Sequence, residues 1–145
     1  MSTPEVPRPP ILEVRGLEVR YGSVPAVRKV DLHVRQGEIV GLIGPNGAGK
    51  STMLHAIVGA VRPNAGEIEL KGASIVGQPP ERIVRSGVGL VPEGRRIFAE
   101  LTVEENLRLG LAGRRTKDGA QQALDEVGKL FPILRQTRKR QAGLL

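Results

Sequence analysis

The chain has 145 residues, a formal net charge of +7 and 39% apolar residues, the length of one domain with enough apolar material for a core. Its three aromatics (Tyr21, Phe98, Phe131) leave that core to Val, Ile, Leu and Ala, and the lack of cysteine excludes disulfides and thiolate metal sites. The proline-rich start has no apolar h-region and no stretch approaches a membrane span, so a cytoplasmic location is expected, with neither secretory signal nor span.

Residues 1–10 read as a short disordered arm. Ile11 to Tyr21 alternates apolar and charged residues on both sides of Gly16, the pattern of a half-buried antiparallel strand with a bulge or bend at the glycine. Val30 to Val34 alternates again, and Arg35-Gln36-Gly37 is a turn. Ile39 to Ile43 is an apolar run expected to form a buried strand. Behind it, Gly44-Pro-Asn-Gly-Ala-Gly-Lys-Ser-Thr52 fits G-x-x-x-x-G-K-[ST], and Ser51 to Val58 reads as a helix stopped by Gly59. Strand, glycine loop and helix together make a phosphate-binding P-loop. Glycines let the backbone curl so that successive N–H groups face an anion, and the helix N-terminus adds partial positive charge. Gly44, Asn46, Gly47, Ala48, Gly49 and Thr52 are expected to bind the phosphates. Lys50 is expected to reach the β- and γ-phosphates, and the Ser51 hydroxyl to ligate Mg²⁺.

Arg62 to Gly66 reads as a loop, Glu67 to Lys71 as a strand turned by Gly72, Pro79 to Ser86 as a short helix, and Val88 to Val91 as a short apolar strand. Thr102-Val-Glu-Glu105 is a capping box opening a helix to about Leu109. Asp118 is expected to cap a second helix with Ala120, Leu124, Val127 and Phe131 on one face, and Ile133 to Arg140 to continue helically after Pro132. From Arg108 to Leu145 there are nine Lys/Arg against three Asp/Glu. Nucleic acid is one partner for such a charge, but the segment offers only Phe131 for stacking; a solvated helix face or a surface near anionic lipid is the plainer reading.

With these elements placed, the chain resembles an ABC transporter ATP-binding subunit from about Ile11 to Leu145. The resemblance implies that Tyr21 stacks on adenine and that Val91-Pro-Glu-Gly-Arg-Arg-Ile-Phe98 occupies the Q-loop, with Glu93 where a Gln usually meets Mg²⁺ and the attacking water. Lys50 and Glu93 are thus the implied catalytic groups, and Ser51 and Glu93 the metal contacts. The P-E-G-R-R-I-F string followed by Leu101-Thr-Val-Glu-Glu-Asn-Leu107 is similar to the branched-chain amino-acid importer branch. ATP and Mg²⁺ follow as cofactors. Membrane-spanning subunits and a second ATP-binding subunit in a head-to-tail dimer follow as partners, with no specific nucleic acid. The implied location is the inner face of the cell membrane. Docking is expected on Gly94 to Glu105, with Ile97, Phe98 and Leu101 as apolar contacts and Arg95 and Arg96 at the rim. His33 and His55 match no family motif and read as structural.

The expected fold class is α/β: a P-loop NTPase core (11–101) with an antiparallel β subdomain, and the start of an α-helical subdomain (102–145), truncated. The signature L-S-G-G-Q, an apolar strand ending in Asp-Glu and a switch histidine do not occur. Gln141-Ala-Gly-Leu-Leu145 resembles the approach to that signature, so the chain reads as a fragment, expected not to hydrolyse ATP by itself and to leave apolar edges at Val40–Ile43 and Val88–Val91 uncovered. Two other readings stay open: a nucleic-acid- or ribosome-associated ABC-type ATPase, and a non-hydrolysing nucleotide-binding fragment.

Overall fold

The computed structural model describes residues 9–94, 96–113 and 118–145. They fall into two compact units, one up to Ile83 and one from Val84 onward.

The first unit is built on an antiparallel sheet of β1 (Pro10–Tyr21), β2 (Val24–Arg35), β3 (Ala65–Leu70) and β4 (Ala73–Ser74), in the order β2-β1-β3-β4. β1 starts at Pro10, one residue before the expected Ile11. β4 was not legible, because two residues carry no periodicity. The bulge expected at Gly16 is present. Val14 pairs with Leu32 and Leu17 with Val30, so β1 spends one residue more than β2. Gly16 has φ 56°, and its N–H donates to the Asp31 carboxylate at 2.6 Å. A side chain on the facing Gly66 would sit 2.5 Å from the Gly16 carbonyl oxygen, so this crossing needs glycine. A second bulge follows in β2, where Leu17↔Val30 gives way to Val19↔Val27 and Lys29 takes φ 45°.

Because of the Gly16 bulge, the buried positions of β1 change parity, from Val14 to Leu17 and Val19. With Val27 and Ile68 they form the sheet's buried face, and Met53, Ala56 and Ile57 of α1 (Lys50–Ile57) are buried in the same unit. On β1 and β3, the Arg15 guanidinium meets Glu13 at 2.9 Å, Glu67 at 3.0 Å and Glu69. Its bonds to Glu67 and Glu13 hold it well above the ordinary arginine range. α2 (Pro80–Arg85) begins in this unit, which ends at its buried Ile83.

Two strands expected from apolar runs are not formed. Ile39 to Ile43 and Val88 to Val91 lie in no ladder, and Ile39 and Ile43 are 98% and 99% exposed rather than buried. A strand is a pairwise object: hydrophobicity supplies a face, but its hydrogen bonds need a neighbour, and none among the described residues provides one.

The second unit is helical: α3 (Val103–Gly110), α4 (Ala120–Leu130) and α5 (Pro132–Gln136). The capping box is complete. Thr102 N–H donates to the Glu105 carboxylate at 2.8 Å, and Glu105 N–H donates to the Thr102 hydroxyl at 3.2 Å. The Thr102 N–H and, at 2.7 Å, the Thr102 hydroxyl donate to the Glu105 carboxylate and depress its pKa. The next two amides are also satisfied, Val103 N–H by the Arg140 carbonyl at 3.0 Å and Glu104 N–H by the Arg138 carbonyl at 2.9 Å. The expected Asp118 cap is replaced by Gly119, which takes φ 69° as the residue before α4 and provides no side-chain cap. Glycine reaches that conformation at little cost.

Candidate functional site

α1 begins where β2 is nearest the loop. A β-carbon on Gly49 would lie 2.2 Å from the Ala26 carbonyl oxygen, so the loop backbone rests directly on the strand. Gly47 and Gly49 take φ 82° and 88°, which curls Gly44 to Gly49 around the start of the helix. The Lys50 ammonium folds across this loop and donates to the carbonyl oxygens of Gly44 and Pro45, each at 2.7 Å.

The N-terminus of α1 differs from that of α3. Where α3 has its first three amides satisfied, α1 has no side-chain cap and no acidic residue in its first turn. Among the described residues the N–H groups of Gly47, Gly49, Lys50 and Thr52 have no acceptor. Unpaired donors, a helix dipole and an ammonium converge with no carboxylate to neutralise them, which suits a polyanion such as phosphate. Ser51 stands exposed in the same turn. Its hydroxyl is a hard oxygen donor, appropriate to Mg²⁺, which favours few protein ligands plus phosphate oxygens. No group of three His, Cys, Asp or Glu side chains suited to a metal occurs among the described residues.

Tyr21 ends β1 and is 53% exposed. The two-residue connection Gly22-Ser23, with Gly22 at φ 60°, has glycine where a type II′ hairpin turn places it. Asn64 fixes this strand end: its side-chain oxygen accepts from Arg20 N–H at 2.6 Å, and its own N–H donates to Glu18 at 2.8 Å. Tyr21 and Gly44 to Thr52 therefore belong to one unit, Tyr21 at the tip of the hairpin whose second strand supports Gly49. Glu93 belongs to the other unit, where its carbonyl accepts from Arg96 Nε at 3.3 Å. His33 contacts the Arg35 guanidinium at 2.8 Å on β2, and His55 lies in the last turn of α1.

Sequence reading missed Asn106. Its amide donates to the Phe98 carbonyl at 2.9 Å, and its oxygen accepts from Phe98 N–H at 2.9 Å, clamping the loop ahead of α3. Ile97 and Phe98 stay exposed on that loop, whereas Leu101 is half-buried; Arg95 lies outside the described residues. An Asn one turn inside a helix carries no loop signal in one sequence; its partner is fixed only by tertiary geometry.

Comparison with known proteins adds four findings. A family model described as ABC transporter matches residues 27–143. The high-affinity branched-chain amino acid transport ATP-binding protein BraG of Pseudomonas aeruginosa is 45% identical over 126 residues, covering 86% of this chain and 53% of BraG. LivG of Salmonella typhimurium, whose name gives the same role, is 45% identical over 98 residues, 68% of this chain and 38% of LivG. The solved structure of an ATP binding subunit of an ABC transporter superimposes with a TM-score of 0.77 at 33% identity, over 89% of this chain and 53% of that one. The chain thus spans about half the length of the relatives it matches.

Proposed function

The chain belongs to the ABC transporter family, and on that premise we propose that it is the nucleotide-binding part of an ATP-binding subunit that drives import of branched-chain amino acids. Proteins of this family are ATPases. The observation that carries the nucleotide reading is the open N-terminus of α1, with unpaired amides and Lys50 facing one loop. The names of BraG and LivG support the choice of cargo.

In this reading the Lys50 ammonium exchanges the carbonyls of Gly44 and Pro45 for the β- and γ-phosphates of ATP. Amides from Asn46 to Thr52 accept the remaining charge, and the exposed Tyr21 ring stacks on adenine. The Ser51 hydroxyl holds Mg²⁺, and Glu93 keeps the Q-loop role that the resemblance implies for it. The metal, when bound, supplies neutralisation of phosphate charge. A carboxylate at position 93 keeps the acceptor oxygens of a glutamine but cannot donate from an amide. The whole subunit pairs head to tail with a second one and docks on membrane-spanning subunits at the inner face of the membrane, through the Asn106-clamped loop around Ile97 and Phe98.

Mg²⁺-dependent binding of ATP by residues 1–145, measured by calorimetry, tests the proposal. Lys50→Ala removes a charge-assisted contact worth about 1.5–3 kcal/mol, so its Kd should rise roughly 10- to 150-fold. A folded Lys50→Ala chain with unchanged affinity refutes it. In the same preparation phosphate release should not exceed that of Lys50→Ala, because Glu93 is the only acid with a proposed role at the γ-phosphate. Steady, Lys50-dependent turnover shows that other groups perform the chemistry.

A further inference from the structure

The basic C-terminal segment has no role in the nucleotide site. Residues 127–145 contain five cations (Lys129, Arg135, Arg138, Lys139, Arg140) and no Asp or Glu. Two of the five are engaged. Arg135 folds back to donate to the Asp125 carbonyl at 2.9 Å, and Arg138 lies 3.9 Å from the Glu104 carboxylate. Lys129, Lys139 and Arg140 are exposed and form no ion pair among the described residues. Between Lys129 and Arg135, the corner joining α4 to α5 carries Leu130, Phe131 and Ile133, which are 73%, 57% and 56% exposed. Pro132 opens α5 and shapes this corner.

Large apolar side chains in water, with Lys129 beside them, Lys139 and Arg140 further along the same acid-free stretch, and the carboxylates of Asp125 and Glu126 one turn back on α4, match the chemistry of an amphiphile with an anionic head and an apolar interior. We propose that the α4–α5 corner is a lipid-contacting surface. Leu130, Phe131 and Ile133 insert among acyl chains at the bilayer boundary, while Lys129, Lys139 and Arg140 lie on anionic phosphates. The charge complementarity selects anionic over zwitterionic lipid, and a bilayer accepts an apolar tip without a matching groove. RNA fits less well, because it would satisfy the cations yet leave Leu130 and Ile133 unpartnered, with one aromatic ring to stack.

The chain has no tryptophan, so Phe131→Trp installs a single fluorophore at the corner. Flotation with vesicles of phosphatidylcholine, with and without phosphatidylglycerol, is measured alongside its emission. Expected are binding and a blue shift with phosphatidylglycerol vesicles only. A cation near an anionic surface is worth about fivefold in partition, so K129Q/K139Q/R140Q together should lower binding on the order of a hundredfold. Lys71→Gln, an exposed cation of the first unit, should leave it unchanged. L130S/I133S should weaken binding in a way that lowering salt does not restore. Equal binding to both vesicle types overturns the proposal. So does anionic binding without a blue shift, or an equal loss in Lys71→Gln. An RNA oligonucleotide bound as tightly through the same three cations, with no shift on vesicles, marks the patch as a polyanion site instead. Should the triple variant fail to fold by circular dichroism, the Phe131→Trp shift still decides.

Discussion

Gly49 is where the candidate site and the fold share an atom's width, and Gly49→Ala measures that. Gly47 and Gly49 sit two residues apart at similar φ, 82° and 88°. Alanine at either pays the same left-handed backbone penalty, about 1–2 kcal/mol, partly offset by the stiffer unfolded chain. Their surroundings differ. A β-carbon on Gly47 meets nothing within 4 Å, whereas one on Gly49 lies 2.2 Å from the Ala26 carbonyl oxygen and 3.2 Å from Val27 Cγ2. The nearest obstacle is backbone, which cannot rotate away, so Gly49→Ala must lift the loop off β2. Overpacking of this kind costs about 1–3 kcal/mol beyond the shared term. With a urea slope of about 2 kcal/mol/M, the midpoint of Gly49→Ala should fall below that of Gly47→Ala by roughly 0.5–1.5 M. Equal midpoints for the two variants refute the claim that the loop rests on Ala26.

Tyr21→Ala should weaken ATP and ADP alike in calorimetry and leave inorganic triphosphate unaffected; equal losses for triphosphate and ATP mean that Tyr21 acts through the hairpin. Glu105 has a folded pKa below its ordinary value of 4.5, so its stabilisation is complete above that value and is lost as pH falls through the folded pKa. The urea midpoints of the parent and Glu105→Gln should therefore be furthest apart at neutral pH and converge in acid; a constant gap disproves the linkage. Lys71 and Gly72, at φ 51° and 77°, form the two-residue turn between β3 and β4 where Asn-Gly is the favoured pair. Lys71→Asn should raise stability by about 0.5–1 kcal/mol, read from thermal unfolding.

What could be read from sequence was whatever is decided within a few residues. The capping box of Thr102 and Glu105 and the bulge at Gly16 each need only local spacing, and both are present. The P-loop pattern was equally plain, and α1 begins within it at Lys50. The apolar runs at Ile39 and Val88 were misjudged because a strand needs a partner that no local pattern supplies. Asn64, Asn106 and the Ala26 support beneath Gly49 were invisible for the same reason: each acts on backbone that sequence distance separates from it. Gly119 displaced Asp118 because two residues before α4 could open it, and the left-handed approach of the chain chose between them.

The two bulges between Val14 and Val19 cancel. From Val14 to Val19, β1 takes five steps, and from Leu32 to Val27, β2 also takes five, although neither strand is regular between those points. Strand length in this hairpin is therefore a conserved difference rather than a fixed number. Deleting Gly16 alone would turn Leu17 and Val19 to water and present charge to the interior. Deleting Gly16 together with Lys29 would bring β1 and β2 back into step. A lineage that shortened these strands would have to do so in pairs, each lesion intolerable until the other arrived.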